Sequence, residues 1–257
     1  MRKYLVCILM LLPLAAMADP IERSKHLEMP IKDVKILQIT CAAGFLELYG
    51  VDGAGRINVT ATIKISGINR NEVADFTARH VQLSLKKRSH KAILESVFKD
   101  QNRMKADAKI DLIVSIPKHL AVQIDDGSGY ILVSDLDADL KIVDGSGSIS
   151  IRDIQGNVTV EDGSGKLHIA DIKGNLEVKD GSGSMLVDQI KGNARLIDSS
   201  GQMTIKDIDG NLTIRDGSGG IEIINVTQNV LIKEAGSGNL EIDGVKGKVI
   251  NWESENQ

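Results

Sequence analysis

The chain is 257 residues long, with 42% hydrophobic and 3% aromatic residues and a formal net charge of -4. So mild an acidic balance gives no reason to expect nucleic acid. So few rings also make a poor platform for sugars or single-stranded nucleic acid, both of which lean on exposed aromatic side chains.

The first residues read as an export signal. Arg2 and Lys3 precede an apolar stretch from Leu5 to Leu14, and Ala16-Met17-Ala18 offers a small-x-small site. Cleavage is expected before Asp19, leaving residues 1–18 as the signal peptide. The apolar run is too short to span a bilayer comfortably. Cys7 lies inside it without the small residue before it that a lipoprotein site needs, so no lipid anchor is expected. No second apolar run follows, and residues 251–257 form a polar tail. The mature chain is therefore expected to be exported, periplasmic or secreted, and not transmembrane. Removal of the signal leaves Cys41 as the one cysteine, so no internal disulfide is expected.

After an N-terminal extension (19–32), residues 33–120 are rich in strand patterns without a strict period. Val34 to Thr40 alternates into Cys41, which reads as a buried small hydrophobe rather than a reactive thiol. Phe45 to Gly50 alternates into the turn Val51-Asp52-Gly53, and Ile57, Val59, Ala61, Ile63 and Ile65 mark a longer strand. Asn71 to Phe76 predicts a short capped helix before a strand through Val81, Leu83 and Leu85. Ile110, Leu112, Val114 and Ile116 lead to Pro117 and on into the next segment without a linker. A basic cluster, Lys86, Lys87, Arg88 and Lys91 with Lys99, Arg103 and Lys105 downstream, reads as a solvated loop. Anionic envelope lipid or polymer is its alternative partner.

From residue 121 to 250 the pattern becomes periodic. Asp-Gly-Ser-Gly starts at Asp126, Asp144, Asp162, Asp180 and Asp216, and Asp198 opens the variant Asp-Ser-Ser-Gly in the same 18-residue register. A fixed short period implies a stacked solenoid in which each unit covers its neighbour's core. Counting from Asp144, apolar residues fall at Ile149, Ile151, Ile154, Val158 and Val160, and later units repeat the placement. Spacing of two with β-branched residues is the strand signature, and glycine recurs too often for a helix. A second Asp recurs nine positions on, at Asp135, Asp153, Asp171 and Asp207, so each coil divides into two short strands and two corners. The fold expected is all-β: a single-stranded parallel β-helix or β-solenoid with 18-residue coils, continuous with irregular β-rich first coils.

Three polar columns follow from the stacking. Asn157, Asn175, Asn193, Asn211 and Asn229 fall in one, and Ser128, Ser146, Ser164, Ser182, Ser200 and Ser218 in another; both are expected to be structural. The first Asp of each coil forms the third. Carboxylates near 5 Å apart repel by about 1 kcal/mol in water and by more in a protein. Local capping by each Gly-Ser-Gly turn is the preferred answer. A row of calcium ions and raised pKa values are the alternatives. The calcium nonapeptide needs an Asp where Gly163-Ser164-Gly165-Lys166-Leu167 has an apolar residue, so no metal site is assigned. The last coil gains one residue at Glu234-Ala235-Gly236-Ser237-Gly238, and Trp252 is expected to cap the open end.

The run Val143 to Asn157, Val-Asp-Gly-Ser-Gly-Ser-Ile-Ser-Ile-Arg-Asp-Ile-Gln-Gly-Asn, resembles the bacterial β-strand-repeat proteins of the DUF4097 family, grouped as candidate adhesins. Gly44-Phe45-Leu46-Glu47-Leu48-Tyr49-Gly50 and Val114-Ser115-Ile116-Pro117 share the likeness, which covers roughly residues 33–250. It implies a secreted or envelope β-solenoid of unestablished role, with no catalytic residue to carry over. The leading expectation is a non-enzymatic module whose flat sheet faces contact a cell-envelope component or another protein. A self-assembling scaffold is the alternative. An enzyme acting on polysaccharide comes last, because His26, His80, His90, His119 and His168 are scattered and the Asp residues recur in every coil. No catalytic, cofactor-binding or metal residue is assigned.

Overall fold

The computed structural model describes residues 20–100, 104 and 106–252. The expected signal peptide (1–18) lies outside them, as do Arg103, Lys105 and most of the polar tail. The first half comprises β1 (Ile21–Pro30), β2 (Ile36–Val51), β3 (Arg56–Ser66), α1 (Val73–His80), β4 (Val81–Arg88), β5 (Lys91–Phe98), β6 (Asp107–Pro117) and β7 (Ala121–Leu136). Short strands then alternate: β8 (Leu140–Asp144), β9 (Gly147–Ile154), β10 (Val158–Asp162), β11 (Gly165–Ile172), β12 (Leu176–Asp180), β13 (Gly183–Ile190) and β14 (Ala194–Asp198). The last are β15 (Gly201–Ile208), β16 (Leu212–Asp216), β17 (Ile221–Val226), β18 (Val230–Ala235), β19 (Leu240–Val245) and β20 (Val249–Asn251).

The molecule is a parallel β-solenoid of about seven turns with coils of about 18 residues. Each coil contributes one strand to each of two parallel stacks. The even-numbered strands β8 to β20 pair in one, and the odd-numbered strands β9 to β19 in the other. Pairing is residue for residue, as in Val160↔Val178 and Ile169↔Val187. A slip of one residue would turn the whole apolar set outward, which is what holds the register. The periodic apolar residues Ile149, Ile151, Ile154, Val158 and Val160 are at most 1% exposed. The residue added near Glu234 is absorbed as a register shift between Ile214 and Arg215 on the neighbouring strand.

The first part of the chain does not climb the stack in order. β2 is itself a full coil, in register with β7 from Ile36↔Ala121 to Tyr49↔Ser134. Its other edge carries β5 and β6, both parallel to it. Beyond these, β4 runs antiparallel to β5, β3 antiparallel to β6 and β1 antiparallel to β3. The strands from β3 to β6 therefore leave the stack and build its far end, and β7 returns on the opposite edge of β2. Alternation has a period of two in either strand direction, so the pattern alone cannot distinguish this from sequential coils. The helix begins two residues later than the expected Asn71 and buries Val73, Phe76 and Thr77. Its N-cap residue, Glu72, makes no side-chain cap bond to the helix; its carboxylate instead accepts hydrogen bonds from the Asn69 backbone N–H and side-chain amide in the preceding turn.

At the opposite end, Trp252 does not shield the core as expected; it is 58% exposed, and Val249 is 46% exposed. β20 is only three residues long.

Candidate functional site

The corner that opens each coil is built as the Asp-Gly-Ser-Gly pattern predicts. The second glycine takes φ values from 141 to 154 in Gly147, Gly165, Gly183, Gly201 and Gly219, where a side chain is strained. The aspartate turns inward, and in three coils its carboxylate caps its own turn. Ser164 N–H donates to Asp162 Oδ1 at 3.3 Å, and Ser182 and Ser200 do the same to Asp180 and Asp198 at 3.1 Å. Burial pushes all six carboxyls above their ordinary range, Asp126 and Asp180 to about 6. Cys41 shares the register position of Asp126. Burial and the neighbouring Asp126 together push the thiol far above its ordinary value, so it stays protonated. Among the described residues no three His, Cys, Asp or Glu side chains gather as metal ligands.

The second corner uses the left-handed region directly. Asp135, Asp153, Asp171, Gln189, Asp207 and Asn225 have φ between 54 and 62. Beside it runs the asparagine ladder. Asn175 donates its backbone N–H (2.9 Å) and its side-chain amide (3.3 Å) to Asn157 Oδ1, and the pattern repeats at Asn193, Asn211 and Asn229. Asp139 starts the ladder and the Lys248 N–H closes it. A surface groove of about 530 Å³ follows the ladder, but its charged members Glu177 and Arg195 pair with each other at 3.8 Å. Of the basic cluster, Lys86, Lys87, Arg88 and Lys91 sit at the tip of the β4–β5 hairpin, exposed. Lys87 reaches back to the Lys32 carbonyl and to Asp33.

One feature of the sheet surface escaped the sequence reading. On the odd-strand face, Phe45 and Tyr130 stack with ring centroids 5.6 Å apart and planes 5° from parallel. Around them lie Tyr49, Leu132 and Ile113, brought together by the pairing of β6, β2 and β7. Tyr130 is 40% and Ile113 43% exposed. Glu47 stands between Ile113 and Leu132 in the same register column. Asp111, at the patch edge, accepts the Phe45 N–H at 3.0 Å and pairs with Lys64 at 2.8 Å. The signal was present in the sequence. Gly44-Phe45 and Gly129-Tyr130 are the same corner glycine followed by a ring, and aligning the glycines places one ring on the other.

Several solved structures are similar to this chain. A candidate adhesin from Bacteroides fragilis is 13% identical over 89% of this chain and 97% of its own, with a TM-score of 0.47. A candidate lipid-binding protein from Parabacteroides distasonis is 15% identical over 89% of this chain and 97% of its own, also with a TM-score of 0.47. A candidate cell adhesion protein from Clostridium sporogenes is 12% identical over 77% of this chain and 99% of its own, with a TM-score of 0.41. No curated protein sequence matches the chain. The model of one family matches most of it, from residue 51 to residue 256. The chain belongs to the Toastrack DUF4097 family.

Proposed function

We propose that the chain is an exported, non-enzymatic binding module of the cell envelope, and that it holds its partner on the patch around Phe45 and Tyr130. The observation that carries this reading is the gathering of two tyrosines and a phenylalanine on one sheet face, with Ile113 beside them, in a protein so poor in rings. Exposed aromatic and aliphatic side chains on a rigid sheet are the usual anchors of a protein surface that binds. The remaining outward positions of the regular coils alternate among charged, small and aliphatic residues and carry no second cluster of this kind. The carboxylates recur coil after coil and serve the turns, which suits a fold determinant better than an active site.

The test is co-sedimentation of residues 19–257 with purified envelope fractions. Wild type is expected to bind one fraction saturably. Replacing Tyr130 by Ser and Ile113 by Thr is expected to weaken that binding about tenfold or more, since each lost anchor costs about 1–2 kcal/mol. Replacing Lys87 and Lys91 by Glu is expected to leave it unchanged. Binding that follows the lysines would move the site to the hairpin, and no binding to any fraction would remove the envelope reading. A second reading, end-to-end assembly, is favoured by the exposure of Val249 on the last coil. Growth of light scattering with concentration would support it, and a monomer at all concentrations would end it.

A further inference from the structure

One register position threads a column of polar side chains through nearly the whole solenoid. Ser96 of β5 and Cys41 of β2 begin it, and Asp126, Asp144, Asp162, Asp180, Asp198 and Asp216 continue it until Ala235 takes the place. Ser96 is 2% exposed and the six aspartates are between 0% and 7% exposed. Many of their oxygens have no hydrogen-bond partner: Ser96 Oγ, both carboxylate oxygens of Asp144 and Asp216, and Oδ2 of Asp162, Asp180 and Asp198. Buried polar atoms left this way are costly, and a run of them asks for an explanation.

Ionised carboxylates only accept hydrogen bonds, so a stack of them cannot satisfy itself. A protonated carboxyl has one donor and keeps acceptor capacity, so each coil can give to one neighbour and receive from the other. The spacing suits this. Parallel coils repeat at about 4.8 Å. The two oxygens of one carboxyl lie about 2.2 Å apart, given C–O bonds near 1.23 Å. The remaining gap of about 2.6 Å is an O–H···O distance. Cys41, in register beside Asp126, carries a thiol hydrogen at one end of the column.

We propose that the aspartate column binds protons as the chain folds, forming a ladder of carboxyl-to-carboxyl hydrogen bonds that tightens the solenoid in mild acid and loosens it towards alkaline pH. This inference is independent of the partner-binding patch. The titratable and charged groups acting on the column are Cys41 and Asp125 at its start and Glu234 at its end, none of them cationic. Among the described residues no Lys, Arg or His pairs with any of the six. Calcium takes six to eight oxygen ligands, more than two neighbouring carboxyls can offer. The direction of the pH effect follows from the shifts. Folded pKa values above the unfolded 3.8 mean that stability is fully present below about pH 4 and is lost as pH rises through about 6.

The experiment is thermal melting of residues 19–257 between pH 5 and pH 8, with and without calcium. Wild type is expected to lose about 5 °C or more over that interval. The double variant Asp162→Asn, Asp180→Asn carries carboxamides in place of neutral acids. It is expected to melt higher than wild type at pH 8 and to show a flatter profile. A wild-type profile flat from pH 5 to 8, or an Asn variant weaker than wild type at pH 8, overturns the proposal. So does stabilisation of wild type at pH 8 by calcium, which would make the column a cation site. Should the variant fail to fold, infrared spectra of wild type at pH 5.5 decide the matter. A protonated-carboxyl stretch that disappears in denaturant is expected, and its absence from the folded protein overturns the ladder.

Discussion

A methyl group added at Gly165 would lie 1.5 Å from the Gly147 carbonyl oxygen, and the backbone there has φ +149. Neither the conformation nor the spacing admits a side chain, so the coil would have to lift off its neighbour. Gly165→Ala is expected to cost about 3 kcal/mol or more, combining backbone strain with overpacking. The first glycine of the motif is different. Ser199 occupies that place in the Asp198 coil, so the turn admits a side chain there. At Gly163 a Cβ would lie 2.4 Å from the Gly145 carbonyl oxygen but without a left-handed φ, so Gly163→Ser is expected to cost about 1–2 kcal/mol, less than Gly165→Ala. Denaturant melts of the two variants check the contrast, and equal losses would refute it. The opposite corner offers a gain. Gln189 has φ 56 where the neighbouring coils use Asp or Asn, which tolerate the left-handed region better. Gln189→Asn is expected to stabilise by about 0.5 kcal/mol. Cys41 is a residue whose surroundings exceeded its pattern. The alternation before it predicts a buried residue and the structure leaves it partly buried, while its place in the aspartate column depends on a pairing across more than eighty residues of chain.

At the scale of elements, the asparagine ladder ties the second corner of each coil to the next. Asn193 Oδ1 accepts both the backbone N–H and the side-chain amide of Asn211, while its own N–H groups bond to Asn175. Asn193→Ala removes the side-chain bonds on both sides and leaves the Asn211 N–H to water. Because the ladder is exposed, the expected loss is about 1 kcal/mol rather than the larger penalty of a buried group. Urea denaturation checks it, and no loss would make the ladder ornamental. The ladder, the turn glycines and the inward apolar pairs were legible because each repeats within one period. Strand direction was not. Ile57 to Ile65 and Ile110 to Ile116 alternate like any strand, yet β3 and β6 pair antiparallel while β2 and β6 pair parallel. The aromatic patch was hidden for a related reason. Phe45 and Tyr130 belong to adjacent coils, but the chain builds the whole far end of the stack between them.

For the whole molecule, a solenoid is held together by contacts between nearest coils, so its stability is set by its interfaces and by how its ends are closed. The two ends are unlike. On the side of the early strands, α1 buries Val73 and Phe76, and the edge strand β1 is lined by Glu22, Arg23, Lys25 and Glu28, which suit an edge that pairs no further. On the other side, β19 keeps Leu240, Ile242 and Val245 only partly buried, and Val249 is exposed. Between them, β2 and β7 join along most of their length, with Leu37, Ile39, Leu48, Ile131 and Leu136 fully buried. A stack built this way should open from its weaker end. In native-state hydrogen exchange the amides of β19 and β20 are expected to exchange first, then those of β17 and β18, with β2 and β7 the slowest. Placing one cavity at the weaker end and another at the β2–β7 interface tests the same point. Ile242→Ala is expected to speed exchange in the last coils alone, whereas Leu48→Ala, costing about 2–5 kcal/mol, is expected to lower protection on both sides of the β2–β7 interface. Uniform exchange along the solenoid would mean that the coils unfold as one unit, and that the difference between the ends has no energetic consequence.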